Sequence, residues 1–152
     1  MSCEVEFMFD DDHGWVGLSL GDNQFFGECS YIKDTLSDLA NALINLKEGS
    51  SREYFLAIYE PESDLIELNV QGENVRVRVF RFGSPQEISW ATISLSQYAE
   101  VTFERVPDSE FTLNLKSTIK GFLESFEKME PTKYYEQWGH AWPSSLLGKL
   151  NA

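Results

Sequence analysis

The chain has 152 residues, of which 42% are hydrophobic and 14% aromatic, and its formal net charge is −13. This length fits one domain with a substantial core, and the apolar content excludes an intrinsically disordered chain. No apolar run reaches the roughly 18 residues of a membrane-spanning helix. The strong negative charge disfavours nucleic acid and anionic membranes as partners, because both would be repelled.

The first residues predict a meander of three strands. Hydrophobic and polar side chains alternate, as expected for strands with one buried face. The predicted strands are residues 4–9, 15–20 and 24–31, separated by polar turns at 10–14 and 21–23.

A helix is predicted at residues 34–47, and the chain is organised around it. Its apolar residues recur at three- and four-residue steps, which places them on one side of a helix. Thr35 followed by Asp38 resembles a capping box, and Gly49 lies where a helix end favours a left-handed residue. The residues expected in the core are Leu36, Leu39, Ala40, Leu43 and Leu46.

Strand patterns resume after this helix and end in a second helix. Residues 99–106 fit either a strand or a helical stripe through Leu95, Tyr98, Thr102 and Val106, and the pattern leaves both open. The aromatic tail, residues 134–143, is expected to cover the core. The other predicted elements are strands at 54–59, 65–70, 75–82 and 88–95, a short alternation at 111–115, and a helix at 115–129 that Pro131 ends.

These elements predict a single α+β domain over residues 1–152. An antiparallel meander sheet should carry the two main helices on one face. The other face of such a sheet can remain in solvent, where a partner can dock.

Negative charge is concentrated in the first part of the chain. Residues 1–64 contain 14 acidic and three basic residues, a balance of −11, whereas residues 65–152 contain 11 acidic and nine basic residues, a balance of −2. Seven acidic residues and no basic residue precede Lys33. This distribution favours a basic protein or a cation as the partner.

Catalytic motifs are not evident. Asp10–His13 combines three carboxylates with an imidazole but lacks the spacing of a calcium loop. Cys29 and His140 occur in no nucleophile motif, and the two cysteines, Cys3 and Cys29, are interpreted as buried thiols that could lie near each other on adjacent strands. We therefore expect a non-enzymatic protein without a cofactor or a metal. The alternatives are a small metal-dependent or hydrolytic enzyme that uses Asp10–His13, and a structural or oligomer-forming domain.

Three sequence features together resemble a known class of protein. They are the helix Leu36–Gly49, the pair Glu60-Pro61 between strands with Val75–Val79 after it, and the ending Tyr134–Trp138 with Trp142-Pro143. Their order is similar to that in small bacterial immunity proteins of polymorphic toxin systems, including contact-dependent growth inhibition. The resemblance implies a cytoplasmic protein that binds and neutralises a cognate toxin domain, and it transfers no catalytic residue.

The charge distribution suggests where such a toxin would bind. Toxin domains that attack nucleic acid are commonly basic because they hold phosphates, and an acidic inhibitor would associate with them rapidly. Trp15 is the aromatic anchor that we expect if its side chain is exposed. The acidic residues predicted to bind the partner all lie in predicted turns: Asp10, Asp11, Asp12, Asp22, Glu60, Glu62 and Asp64.

Overall fold

A computed structural model describes residues 3–8, 15–30, 34–59, 62–82, 95–102 and 105–152. Within them the chain forms seven strands and five helices, which confirms the α+β class. The strands are β1 (Cys3–Met8), β2 (Trp15–Leu20), β3 (Phe25–Cys29), β4 (Arg52–Ile58), β5 (Ser63–Gln71), β6 (Asn74–Phe82) and β7 (Ser109–Asn114). The helices are α1 (Thr35–Lys47), α2 (Leu95–Thr102), α3 (Leu115–Glu127), α4 (Pro131–Trp138) and α5 (Ser144–Asn151).

The described strands divide into two antiparallel sheets rather than one. The first sheet has the order β1-β2-β3, and the second has the order β4-β5-β6-β7. The turn between β2 and β3 has positive φ at Gly21, Asp22 and Asn23. Such angles are costly for residues with a Cβ, and here Ser19 Oγ donates a hydrogen bond to Asn23 Oδ1 and accepts one from Asn23 N.

Helix α1 confirms the predicted leucine stripe. The five side chains expected in the core are all buried, and Gly49 has a φ of +115° after the helix. The predicted cap is wrong: Asp34 accepts a hydrogen bond from Ser37 N, whereas Thr35 is buried and its hydroxyl donates to the carbonyl oxygen of Leu56. Asp34 is therefore the N-cap residue, and its carboxylate pairs with one of the free N–H groups of the first turn.

The first sheet contacts both edge strands of the second sheet. Gly21, before β3, lies against the side chains of Phe111 and Leu113 in β7. Ser30, after β3, donates its N–H to the carbonyl oxygen of Ile58 at the end of β4. Strand β3 therefore runs across the second sheet, and a strand of five residues is long enough to do so because neighbouring strands lie about 5 Å apart.

Helical structure is more extensive than the sequence predicted. Residues 95–102 form α2, so over residues 99–102 the strand interpretation is wrong and the helical one is right, whereas Val106 lies outside the helix and is exposed. Helix α3 ends at Glu127, before Pro131, and Pro131 is instead the first residue of α4. Tyr134 and Trp138 are fully buried, which confirms that the aromatic tail covers the core. The predicted strand at 88–95 lies outside the described residues apart from Leu95, which begins α2.

The two main helices lie against different sheets. Helix α1 packs on β4, and α3 packs along β1, where Ser125 Oγ accepts a hydrogen bond from Val5 N. One hydrophobic core joins both sheets and both helices. The fold therefore keeps one face of the first sheet in the core and leaves the other outside it.

Candidate protein-interaction surface

The outer face of the first sheet combines carboxylates with aromatic side chains. Directly opposite residues of an antiparallel pair point to the same side, so the pairing register identifies this face. It carries two cross-strand rungs, Glu4–Ser19–Phe26 and Glu6–Gly17–Glu28, with Trp15 beyond the second rung. We refer to these residues as the outer face.

Phe26 is the most exposed apolar side chain of this face, with 47% of its surface in solvent. A Cβ atom at Gly17 would lie 3.2 Å from both Cε2 and Cζ of Phe26 and 3.5 Å from Cβ of Glu6. The far edge of the ring therefore covers the backbone of Gly17, in the space that a larger side chain would fill. Because Glu6 and Glu28 are the two cross-strand neighbours of Gly17, the ring lies between their positions.

The charged residues of the outer face are all acidic. Glu4, Glu6 and Glu28 are all exposed, and no basic residue precedes Lys33 in the sequence. Asp22, also exposed, lies in the turn that joins β2 and β3. Three glutamates around an exposed aromatic ring give a surface with both charge and apolar area, and such a surface is suited to contact with a basic protein.

The predicted partner-binding residues do not form one cluster. Trp15 lies on the outer face and is half-buried, and Asp22 lies at the end of the same sheet. Glu62 is exposed but lies beyond the other end of β3, next to Tyr59, whose N–H donates to its carbonyl oxygen. Asp10, Asp11, Asp12 and Glu60 lie outside the described residues.

Asp64 was predicted to be an exposed turn residue, and this is wrong. It lies in β5, and its side chain is fully buried. Arg81 Nε and Nη2 donate to its two oxygens at 3.0 and 3.2 Å, and the Tyr59 hydroxyl donates at 2.7 Å. The turn is shorter than the sequence suggested, so Asp64 falls on the core side of the sheet, where a carboxylate requires such donors.

Glu67 forms a second network of the same composition on the opposite face of the second sheet. Its carboxylate is fully buried and accepts two hydrogen bonds from Arg78, at 2.7 and 3.0 Å, and one from Tyr54 at 3.1 Å. Glu67 and Arg78 lie directly opposite each other on β5 and β6. In both networks a tyrosine and an arginine together supply three donors to one carboxylate, an arrangement that stabilises the sheet.

The cysteines are buried and form no disulfide. Burial raises the pKa of Cys29 to about 12 and raises that of Cys3 further above its usual range, so neither thiol is an activated nucleophile. The two residues lie on β3 and β1, with β2 between them, so the predicted adjacency is wrong. The described residues contain no group of three metal-ligating side chains, and Asp10–His13 is not among them.

Sequence reasoning missed Phe26 and the glutamates of the outer face. Two consecutive aromatic residues, Phe25 and Phe26, indicated an aromatic side chain outside the core. Neighbouring residues of a strand point to opposite faces, so only one of the two can enter the same core. Phe25 is buried and Phe26 is exposed. Glu4, Glu6 and Glu28 lie in strands, whereas the acidic residues predicted to bind the partner were all in predicted turns.

No protein-family model matches the chain, and comparison with curated proteins and with solved structures gave no significant match. None of the described helices has the length and apolar character needed to cross a bilayer.

Proposed function

We propose that this protein is a non-enzymatic immunity protein that binds a basic toxin domain and neutralises it. The observation that carries the proposal is the outer face of the first sheet, where Glu4, Glu6 and Glu28 surround the exposed ring of Phe26. A nucleic-acid-degrading toxin needs a positively charged cleft to hold phosphates, and an acidic partner would both attract that cleft and fill it.

The composition of the face supports a protein partner over a small molecule. Interfaces between proteins combine aromatic anchors with a charged or polar surround, and the outer face has both on a rigid sheet. The second sheet offers no comparable negative surface at its buried carboxylates, because Asp64 and Glu67 are each held by an arginine. The proposed contact therefore centres on the first sheet and extends to the turn that contains Asp22.

Copurification with the toxin domain encoded by a neighbouring gene tests the proposal. We expect a stable complex whose association rate falls at least about tenfold from low salt to about 1 M salt, because long-range attraction between the two surfaces is screened. The double substitution Glu4→Lys with Glu28→Lys should weaken the complex and abolish protection of cells that express the toxin.

Glu136→Lys is the control for Glu28→Lys alone, because each changes the net charge by the same amount. Glu136 is an exposed residue of α4, and α4 packs on the core side of the first sheet, where Tyr134 contacts the ring of Phe7. This substitution changes the net charge in the same direction but leaves the outer face intact. A complex whose stability changes neither with salt nor with the substitutions at Glu4 and Glu28 would refute the acidic-surface proposal.

A further inference from the structure

We infer that Phe26 receives an arginine or lysine side chain of the partner, held over the ring between Glu6 and Glu28. The inference rests on the proposed function, since it specifies the chemistry of the same surface. It concerns one position on the partner rather than the general charge of its surface.

The exposed ring is the first step of the argument. Phe26 keeps 47% of its surface in solvent although its neighbour in sequence, Phe25, is buried. The ring does not stand free of the sheet, because its far edge lies over Gly17. The absence of a Cβ at residue 17 allows the ring to rest on β2, which fixes its position and lowers the entropy that a contact would cost.

The surrounding charge is the second step. Gly17 pairs with Glu6 on one side and with Glu28 on the other, so carboxylates flank the place where the ring lies. Glu4 occupies the neighbouring rung, opposite Ser19. All three glutamates are exposed, and the described residues of the first sheet include no basic side chain with which they could pair.

Together these features select a cation with an apolar stem. The face of an aromatic ring attracts an ammonium or guanidinium group, and the neighbouring carboxylates can accept its hydrogen bonds. An uncharged apolar side chain would pack on the ring, but it would remove water from the carboxylates and provide no hydrogen bonds in its place. Arginine and lysine carry both a methylene stem and a positive charge, and they are the residues in which a phosphate-binding toxin is rich.

A peptide titration tests this inference without the toxin. The probe is an acetylated and amidated hexa-arginine peptide, added at low salt to the isotopically labelled full-length protein and followed by amide chemical shifts. We expect the largest shifts at residues 6, 17, 26 and 28, and we expect none with a hexa-citrulline peptide, which has nearly the same shape but no charge.

Two substitutions at the ring distinguish a cation–π contact from simple charge attraction. Phe26→Leu keeps an apolar side chain but removes the ring, and it should weaken peptide binding about threefold or more. Phe26→Tyr keeps the ring and should bind like the wild type. Gly17→Ala places a Cβ 3.2 Å from two ring atoms, a contact that the ring relieves by moving a few tenths of an ångström, so its effect on binding should be smaller than that of Phe26→Leu.

Equal binding by the wild type and Phe26→Leu, or shifts that map away from the outer face, would overturn the inference. Circular dichroism of each variant identifies any loss of fold, and the exposed position of Phe26 makes such a loss unexpected. The toxin copurification described above is a separate readout. A salt-dependent toxin complex that Phe26→Leu leaves intact would preserve the proposed function and remove only this inference.

Discussion

At the scale of single residues, the ionisation of a buried carboxylate depends on the groups that donate hydrogen bonds to it. Glu67 is fully buried, and Arg78 and Tyr54 supply its three hydrogen bonds. Burial works to raise the pKa of Glu67, but the hydrogen bonds and the charge of Arg78 outweigh it and hold the pKa below its usual value of 4.5. This carboxylate therefore remains ionised in the folded protein at pH values where the unfolded chain binds a proton.

Replacement of this carboxylate should destabilise the protein. In Glu67→Gln the guanidinium of Arg78 loses its counter-charge, and we expect the free energy of unfolding at neutral pH to fall by about 3 kcal/mol. This value is at the lower end for broken buried pairs because 22% of the Arg78 side chain still reaches solvent. Glu124→Gln is the control in urea titrations: its pair with Lys120 is exposed and spans 3.9 Å, so its loss should cost less than about 0.5 kcal/mol.

The same substitution should also change how stability depends on pH. The contribution of Glu67 is fully present above its unfolded pKa and is lost as the pH falls through the lower pKa of the folded state. Between neutral and acidic pH, the free energy of unfolding should therefore fall less for Glu67→Gln than for the wild type. Parallel pH profiles for the two proteins would contradict the network geometry.

At the scale of elements, the sequence predicted those helices and strands whose hydrophobic residues repeat with a regular period. Leu36, Leu39 and Leu43 repeat at helical spacing, and all three are buried in α1. The strands were also predicted because their alternation follows from the two faces of a sheet. Residues 99–106 were ambiguous because both periods fit. In the helix that forms, the ring of Tyr98 packs against that of Tyr54, with centroids 5.8 Å apart, and Thr102 is buried.

Contacts between elements were not predictable in this way, and the approach of α3 to β1 is an example. A Cβ at Gly121 would lie 2.2 Å from the carbonyl oxygen of Cys3, so the helix lies against the strand only because residue 121 is glycine. In the sequence, Gly121 lies inside the helix predicted at residues 115–129. Its partner is more than a hundred residues away, and no local pattern connects the two positions.

Gly121→Ala should therefore reverse the usual effect of this substitution. Alanine normally stabilises an exposed helix position by up to about 1 kcal/mol relative to glycine. At residue 121 the Cβ would force α3 away from β1, and we expect a net loss of about 1–3 kcal/mol in urea titrations. Gly148→Ala in α5 is the matched control: no atom lies within 4 Å of its Cβ position, so it should be neutral or stabilising. A stabilised Gly121→Ala variant would mean that the helix does not pack as described.

At the scale of the whole molecule, the arrangement of the two sheets separates the outer face from the predicted turns. The sequence predicted one meander, because antiparallel strands joined by short turns leave no local sign of where one sheet ends. The crossing of β3 over the second sheet places Asp22 and Glu62 beyond opposite ends of that strand. Charge counting located the acidic part of the chain, whereas the strand register determines which of its side chains share a surface.

The crossing also bears on the prediction of a single domain. Gly27 in β3 lies against Tyr59, and a Cβ at residue 27 would approach the phenol oxygen to 2.5 Å. The same oxygen donates to Asp64, so Gly27 and the network of the second sheet share one contact. One hydrophobic core also includes Leu18 of β2 and Ile66 of β5. If the two sheets form one cooperative unit, a change at this contact must lower the stability of both equally.

Native-state hydrogen exchange measures this coupling. We expect the slowest amides of β2 and β5 to open with the same free energy, equal to that of global unfolding, as in a two-state domain of this size. Gly27→Ala should displace the ring of Tyr59 and lower both opening free energies by the same amount, about 1–3 kcal/mol. Glu28→Ala, at the exposed neighbouring position, should change neither by more than about 0.5 kcal/mol. If Gly27→Ala lowered the value for β2 alone, the first sheet would unfold independently, and the surface proposed for the partner would lie on a separate folding unit.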